Sequence, residues 1–108
     1  MSDAPSIDVS GVDDSYFMLD VREDDEWQAG HIDGALHIPM GHLLERVHEV
    51  PSDSHVVAVC RSGARSAQVT AYLIEQGRSV RNLDGGMQAW AAAGRPMVSE
   101  SSAKPQVI

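Results

Sequence analysis

The feature that most constrains the fold of this chain is a run of five apolar residues, Val56-Val57-Ala58-Val59-Cys60. A strand with one face in water alternates apolar and polar residues, whereas this run is apolar at every position. A continuous run is typical of a parallel strand that is covered on both faces. The sequence therefore predicts a central, fully buried strand that ends at Cys60.

Strand and helix patterns alternate along the rest of the chain. Strands are predicted at 16–20, 36–38 and 80–83, with a weaker edge strand at 7–9. The spacing of apolar residues predicts helices from Met40 to Val47, from Ala64 to Gln76, and briefly around Trp90. Strands separated by helices indicate an α/β fold of three layers, with a small, mostly parallel sheet and helices on both faces.

The length of 108 residues accommodates one domain with a single core. We expect this domain to span residues 7–97, after a short N-terminal extension at 1–6. Residues 98–108 are rich in Ser, Lys and Pro, and this composition predicts a flexible C-terminal tail.

Charge and composition exclude several classes of protein. The net charge of −8 argues against nucleic acid or an anionic membrane surface as the main partner. No apolar run approaches the roughly 18 residues of a membrane helix, and no secretory pattern is found at the N-terminus. One cysteine forms no internal disulfide, so we expect a cytoplasmic protein with a free thiol. The five histidines are spread without a ligand-like cluster, and neither a metal nor a cofactor is predicted.

Cys60 stands where open α/β sheets bind ligands, at the carboxyl end of the predicted central strand. The loop after it contains Gly63, which permits a tight turn, and then opens a helix. Backbone N–H groups of such a loop, together with the helix N-terminus, stabilise an anion. The first anion they meet is the thiolate of Cys60, so its pKa should be low and its sulfur nucleophilic. A lone cysteine more often serves as a small hydrophobe, but the coincidence of strand end, glycine loop and helix start favours a functional role.

Two arginines flank the glycine of this loop in a locally positive half of the chain. Residues 61–95 contain five arginines against two acidic residues. Arg65, five positions after Cys60, is expected to turn its guanidinium toward the loop and hold an oxyanion. Ser62 and Ser66 are candidates for capping the helix, and for Ser66 capping or packing is favoured over chemistry.

Asp20 and Arg22 follow the predicted strand at 16–20. Because that strand is expected to neighbour the central one, these residues are predicted to brace the loop through an ion pair or hydrogen bonds rather than to react. His31, between two glycine turns, is predicted to have a structural hydrogen-bonding role, since a preformed thiolate needs no base.

Four segments together resemble the single-domain rhodanese-like sulfurtransferases. The loop Cys60-Arg61-Ser62-Gly63-Ala64-Arg65-Ser66 is similar to their active-site loop, and residues 20–23 (DVRE) resemble their Asp-x-Arg motif. Residues 30–35 (GHIDGA) and 83–86 (LDGG), the latter with Trp90, resemble two further landmarks of the family in the right order. The resemblance covers about residues 7–97. The family's first helix is expected to be missing or reduced to a turn, because only Ser10 to Ser15 separate the first two predicted strands.

The resemblance implies sulfur transfer in two steps. Cys60 would take the outer sulfur of an anionic donor such as thiosulfate, become a persulfide, and pass that sulfur to cyanide or to a thiol, including a thiol of another protein. The residues implied in binding the substrate are Arg61, Ser62, Gly63, Ala64, Arg65 and Ser66. With no second cysteine in the chain, the acceptor must come from outside.

Two alternatives remain open at this stage. Cysteine-dependent phosphatases and arsenate reductases also set a cysteine in an anion-binding loop closed by an arginine. Four residues separate Cys60 from Arg65, one fewer than in that phosphatase signature, and Val59 stands where phosphatases commonly have histidine. The shorter loop favours a sulfane sulfur over a phosphoryl group. The other alternative is a rhodanese-like regulatory or binding module without turnover, although the presence of both Cys60 and Arg65 argues against an inactive one.

Overall fold

The computed structural model describes residues 4–108, and its centre is a sheet of five parallel strands. The strands are β1 (Ser6–Ile7), β2 (Phe17–Asp20), β3 (Leu36–His37), β4 (His55–Val59) and β5 (Ser79–Leu83). Their order across the sheet is β1-β5-β4-β2-β3, so β4 is the middle strand. The central position of the strand is as predicted, but β4 ends at Val59, so Cys60 follows the strand instead of ending it.

Residues 4–108 contain four α-helices, of which three connect successive strands and the last follows the final strand, and three short 3-10 turns. The helices are α1 (Asp24–Ala29), α2 (Leu43–Arg46), α3 (Ala64–Glu75) and α4 (Gly86–Ala92). The 3-10 turns are Val9–Gly11, Met40–His42 and Val47–Glu49. None of the described helices is long and apolar enough to cross a membrane.

The two faces of β4 pack against different layers. Val56 and Ala58 belong to one buried apolar cluster, together with residues of α2 and α3. Val57 and Val59 belong to a second cluster on the other face, together with Trp90 of α4. The alternation follows from strand geometry, in which successive side chains point to opposite faces. The predicted α/β fold with helices on both faces of a parallel sheet is confirmed.

Two helical regions differ from the predicted pattern. The predicted helix from Met40 to Val47 is divided into a 3-10 turn, the four residues of α2 and a second 3-10 turn. Helix α1 was not predicted, although a sequence signal for it exists. Glu23 and Glu26 form a capping box, with acidic residues throughout the first turn, where the helix dipole favours negative charge.

The segment between β1 and β2 contains a single 3-10 turn at Val9–Gly11, which the Asp8 side chain caps by accepting from the backbone N–H of Ser10. This agrees with the prediction that the first helix of the family is reduced to a turn.

Residues 98–108, whose composition predicts a flexible tail, make backbone contacts with the domain. Val98 pairs with His31, and the N–H of Gln106 donates to the carbonyl of Ala29 at 2.9 Å. A Cβ atom on Gly30 would lie 2.5 Å from the backbone oxygen of Gln106, so the glycine permits the close approach. Backbone hydrogen bonds, which depend little on side-chain composition, account for the path of this segment.

Candidate active site

Cys60 lies immediately after the carboxyl end of β4 and is 1% exposed. Gly63 is the N-cap of α3, with φ of 110°, a conformation that side chains other than hydrogen strongly disfavour. The chain therefore turns sharply within three residues and points the N-terminus of α3 back at the sulfur. This is the geometry that the sequence predicts, except that neither Ser62 nor Ser66 is the cap.

The Sγ atom of Cys60 accepts hydrogen bonds from its own loop. The N–H of Gly63 donates at 3.0 Å and the hydroxyl of Ser66 at 3.2 Å. Burial by itself raises the pKa of the Cys60 thiol, but hydrogen bonds outweigh it. They come from the Ser66 hydroxyl and from the backbone N–H groups of Ser66, Gly63 and Ser62, and the net result is a lowered pKa. The loop thus favours the thiolate, which is the nucleophilic form.

Ser66 contacts the sulfur directly, a role that the capping or packing interpretation did not include. Its hydroxyl is also within hydrogen-bond distance of the Asn82 side-chain oxygen. Because a hydroxyl has one hydrogen to donate, we expect ionisation of Cys60 to draw that hydrogen toward the sulfur.

Replacing Ser66 with alanine is expected to raise the pKa of Cys60. A hydrogen bond to a charged group contributes roughly 1.5–3 kcal/mol, so the midpoint of alkylation by iodoacetamide should rise by about one to two pH units. The matched control is Ser62→Ala, which keeps the backbone N–H that faces the sulfur. An unchanged alkylation profile in Ser66→Ala would show that the hydroxyl does not stabilise the thiolate.

Residues from β5 and α4 hold the loop in place. The side-chain amide of Asn82 donates to the carbonyl of Gly63 at 3.0 Å. The N–H groups of Met87 and Gln88, in the first turn of α4, donate to the carbonyls of Cys60 and Arg61 at 2.8 and 3.0 Å. These contacts satisfy loop carbonyls, so the loop N–H groups remain directed at the sulfur.

Gly86 permits this contact between α4 and the loop. A Cβ atom there would lie 2.5 Å from the carbonyl oxygen of Cys60, and φ is 58°. Sequence reasoning assigned Gly85 and Gly86 to the turn that lets Trp90 pack, and Trp90 is indeed buried. It did not identify the approach of Gly86 to the loop that begins at Cys60, nor any role for Asn82.

Both loop arginines are bound to other parts of the chain. Arg65 forms a bidentate ion pair with Glu26 of α1, with nitrogen-to-oxygen distances of 2.8 and 2.9 Å. Its hydrogen bonds lower the pKa of Glu26 to about 2, and Glu26 in turn raises the pKa of Arg65. Arg61 donates from Nε to the backbone oxygen of Ile108 at 3.0 Å. The sequence reasoning directed the Arg65 guanidinium at the loop interior, whereas the structure directs it at Glu26, which lies 39 positions earlier.

Asp20 and Arg22 form a buried ion pair of 2.7 Å, with side chains that are 2% and 0% exposed. Arg22 also donates to the carbonyl of Gly30 at 2.7 Å, at the end of α1. The backbone N–H of Val21 donates to the carbonyl of Val59, the residue before Cys60. The pair thus holds the end of α1 against the carboxyl edge of the sheet, where β4 ends before Cys60.

His31 packs as a structural residue. Its ring stacks on Trp27 with centroids 3.5 Å apart, and Nδ1 is 2.8 Å from the Trp27 carbonyl oxygen. No group of metal-ligating side chains is found within residues 4–108.

A cavity of about 330 Å³ lies at the opposite end of the sheet, at the amino end of β2, with Tyr16, Trp90 and Arg95 among its lining residues. Cys60 does not line it. This cavity is therefore separate from the loop that surrounds the sulfur.

A buried cysteine whose sulfur faces backbone N–H groups at the carboxyl edge of the sheet is an arrangement suited to nucleophilic chemistry on sulfur. The protein-family model described as Rhodanese-like domain matches residues 7–93 of this chain. The chain belongs to this family.

Its relatives include sulfurtransferases. The chain is 43% identical over 84 residues to the putative sulfurtransferase YtwF of Bacillus subtilis, covering 78% of this chain and 82% of that protein. It is 45% identical over 87 residues to a sulfurtransferase of Allochromatium vinosum, covering 80% and 81%. A rhodanese-related protein from Thermoplasma volcanium has a crystal structure similar to this fold, with a TM-score of 0.84, 31% identity, and coverage of 87% and 97%. These relatives support a sulfurtransferase activity.

Proposed function

We propose that the protein transfers a sulfane sulfur from an anionic donor such as thiosulfate to cyanide or a thiol, through a persulfide on Cys60. The observation that carries the proposal is the pair of hydrogen bonds to Sγ, from Gly63 at 3.0 Å and from Ser66 at 3.2 Å, which favours a thiolate at the sheet edge. The single thiol suits a reducing compartment, and we propose the cytoplasm.

In the first half-reaction, the Cys60 thiolate attacks the outer sulfur of thiosulfate. A new S–S bond forms on Sγ, the S–S bond of the donor breaks, and sulfite leaves with its electron pair. In the second half-reaction, cyanide or a thiolate attacks the outer persulfide sulfur, and the Cys60 thiolate leaves. Electrons balance without an external oxidant, and the single cysteine requires an external acceptor.

The loop has a role in both half-reactions. Its backbone N–H groups, from Arg61 to Ser66, would stabilise the Sγ thiolate and then the negative charge on the persulfide. The positive charge of Arg61, and that of Arg65 in competition with Glu26, would attract an anionic donor and stabilise the departing sulfite. Asp20 and Arg22 would keep the neighbouring elements in register without touching substrate.

One experiment distinguishes the proposed sulfurtransferase activity from the phosphatase alternative. Purified protein is assayed for thiocyanate release from thiosulfate and cyanide, and in parallel for hydrolysis of an aryl phosphate. We expect thiocyanate release that saturates with thiosulfate and no hydrolysis of the phosphate ester. Hydrolysis that is blocked by iodoacetamide, without thiocyanate release, would favour the phosphatase, and inactivity in both with every common sulfur donor would favour a binding module.

A further inference from the structure

The ion pair between Glu26 and Arg65 links the catalytic loop to α1. The Glu26 side chain is only 12% exposed, and that of Arg65 is 33% exposed. The two terminal nitrogens of Arg65 each donate a hydrogen bond to one carboxylate oxygen of Glu26. One of these oxygens also accepts the backbone N–H of Glu23 at 3.0 Å, which holds the carboxylate on its own helix.

The position of this carboxylate bears on substrate binding. Arg65 lies in the first turn of α3, beside the loop that surrounds Sγ, and the Cys60 thiolate contributes to the raised pKa of Arg65. A guanidinium binds a sulfonate-like group best through two parallel N–H bonds, and Glu26 already occupies such a pair. A dianionic donor that uses this fork must displace a carboxylate that is partly buried and held by Glu23.

We propose that Glu26 is a specificity-determining residue, which competes with dianionic donors for Arg65 and thereby favours donors that carry the sulfane sulfur on a thiol. The inference rests on the proposed persulfide chemistry of Cys60 and extends it to the class of donor. A thiol persulfide has no sulfonate to be held. Its outer sulfur passes to the Cys60 thiolate, its own S–S bond breaks, and the carrier leaves as a thiolate, so no additional reactant is needed.

The test compares two donors in wild type and Glu26→Gln. The substitution keeps the shape of the side chain and its acceptor for the Glu23 N–H, but removes the charge that binds Arg65. We expect the KM for thiosulfate to fall by roughly three- to tenfold, with kcat changed by less than about twofold. The second donor is the persulfide of 2-mercaptoethanol, which carries neither a sulfonate nor a carboxylate, and its kcat/KM should change by less than about twofold.

The matched control is Asp25→Asn, because Asp25 is an exposed acid of the same helix and the neighbour of Glu26. It removes the same charge without touching Arg65, so it should leave the KM for thiosulfate close to wild type. A readout that does not need turnover is protection of Cys60 from iodoacetamide by sulfate, which should require less sulfate in Glu26→Gln than in wild type.

The outcomes distinguish this inference from the proposed function. A KM for thiosulfate that rises in Glu26→Gln, or that matches Asp25→Asn, in a wild-type protein that transfers sulfur would overturn the inference alone. Failure of the wild type to take sulfur from either donor would overturn the proposed function and the inference together.

Discussion

Replacing Asp20 with alanine is expected to destabilise the domain by about 3–5 kcal/mol, because it leaves the charge of Arg22 buried without its partner. Arg22 is 0% exposed, and one of its terminal nitrogens, Nη1, has no hydrogen-bond partner among the described residues even in the wild type. The backbone N–H of Arg22 would also lose the Asp20 oxygen that it contacts at 3.1 Å. Urea unfolding followed by circular dichroism measures the effect as a large fall in the midpoint.

The chain offers a matched control for this prediction. Glu49 pairs with Arg46 at the same distance of 2.7 Å, but on the surface. Water and salt screen such a pair, so Glu49→Ala should leave the urea midpoint nearly unchanged. Equal effects of Asp20→Ala and Glu49→Ala would show that burial does not set the importance of the Asp20–Arg22 pair.

Replacing Cys60 with alanine is expected to reduce sulfur transfer to the rate of the uncatalysed mixture. The chain has no second thiol to accept the sulfur. In the variant, the N–H groups of the loop would face the methyl group of the alanine, which is not a nucleophile. The measurement is thiocyanate release from thiosulfate and cyanide, at equal concentrations of variant and wild type.

A control is needed because Cys60 also belongs to the buried cluster between the sheet, α2 and α3. Circular dichroism and a cooperative urea transition should show that the alanine variant remains folded, since the substitution removes a single buried sulfur. Thiocyanate release at the wild-type rate from the folded variant would exclude a Cys60 persulfide as the intermediate.

The local parts of the site could be predicted from sequence because each depends on neighbours in the chain. The continuous apolar run identifies β4 as the central strand, and the loop after it necessarily lies at the carboxyl edge of a parallel sheet. Gly63 and the start of α3 then place N–H groups around Cys60. Strand periodicity, glycine conformation and helix polarity act over a few residues, so the position of Cys60 follows from them.

The parts that escaped prediction depend on pairs that are distant in sequence. Glu26 reaches Arg65 across 39 positions, and Asn82 reaches Gly63 across 19. Apolar periodicity and motif spacing in the sequence do not predict which carboxylate or amide side chain will contact a given loop in the folded protein. For Glu26, the capping box is a local signal for a helix start that the sequence interpretation did not use, and local capping carries no information about the second partner of Glu26.

The central claim, that Cys60 carries the sulfur, is tested most directly by the intact mass of the wild-type protein after incubation with thiosulfate and removal of excess donor. We expect a gain of one sulfur atom, located by peptide mass to the loop that contains Cys60, and its loss when cyanide is added with release of thiocyanate. An unchanged mass under conditions in which thiocyanate is formed, or an added sulfur that cyanide does not remove, would contradict the claim.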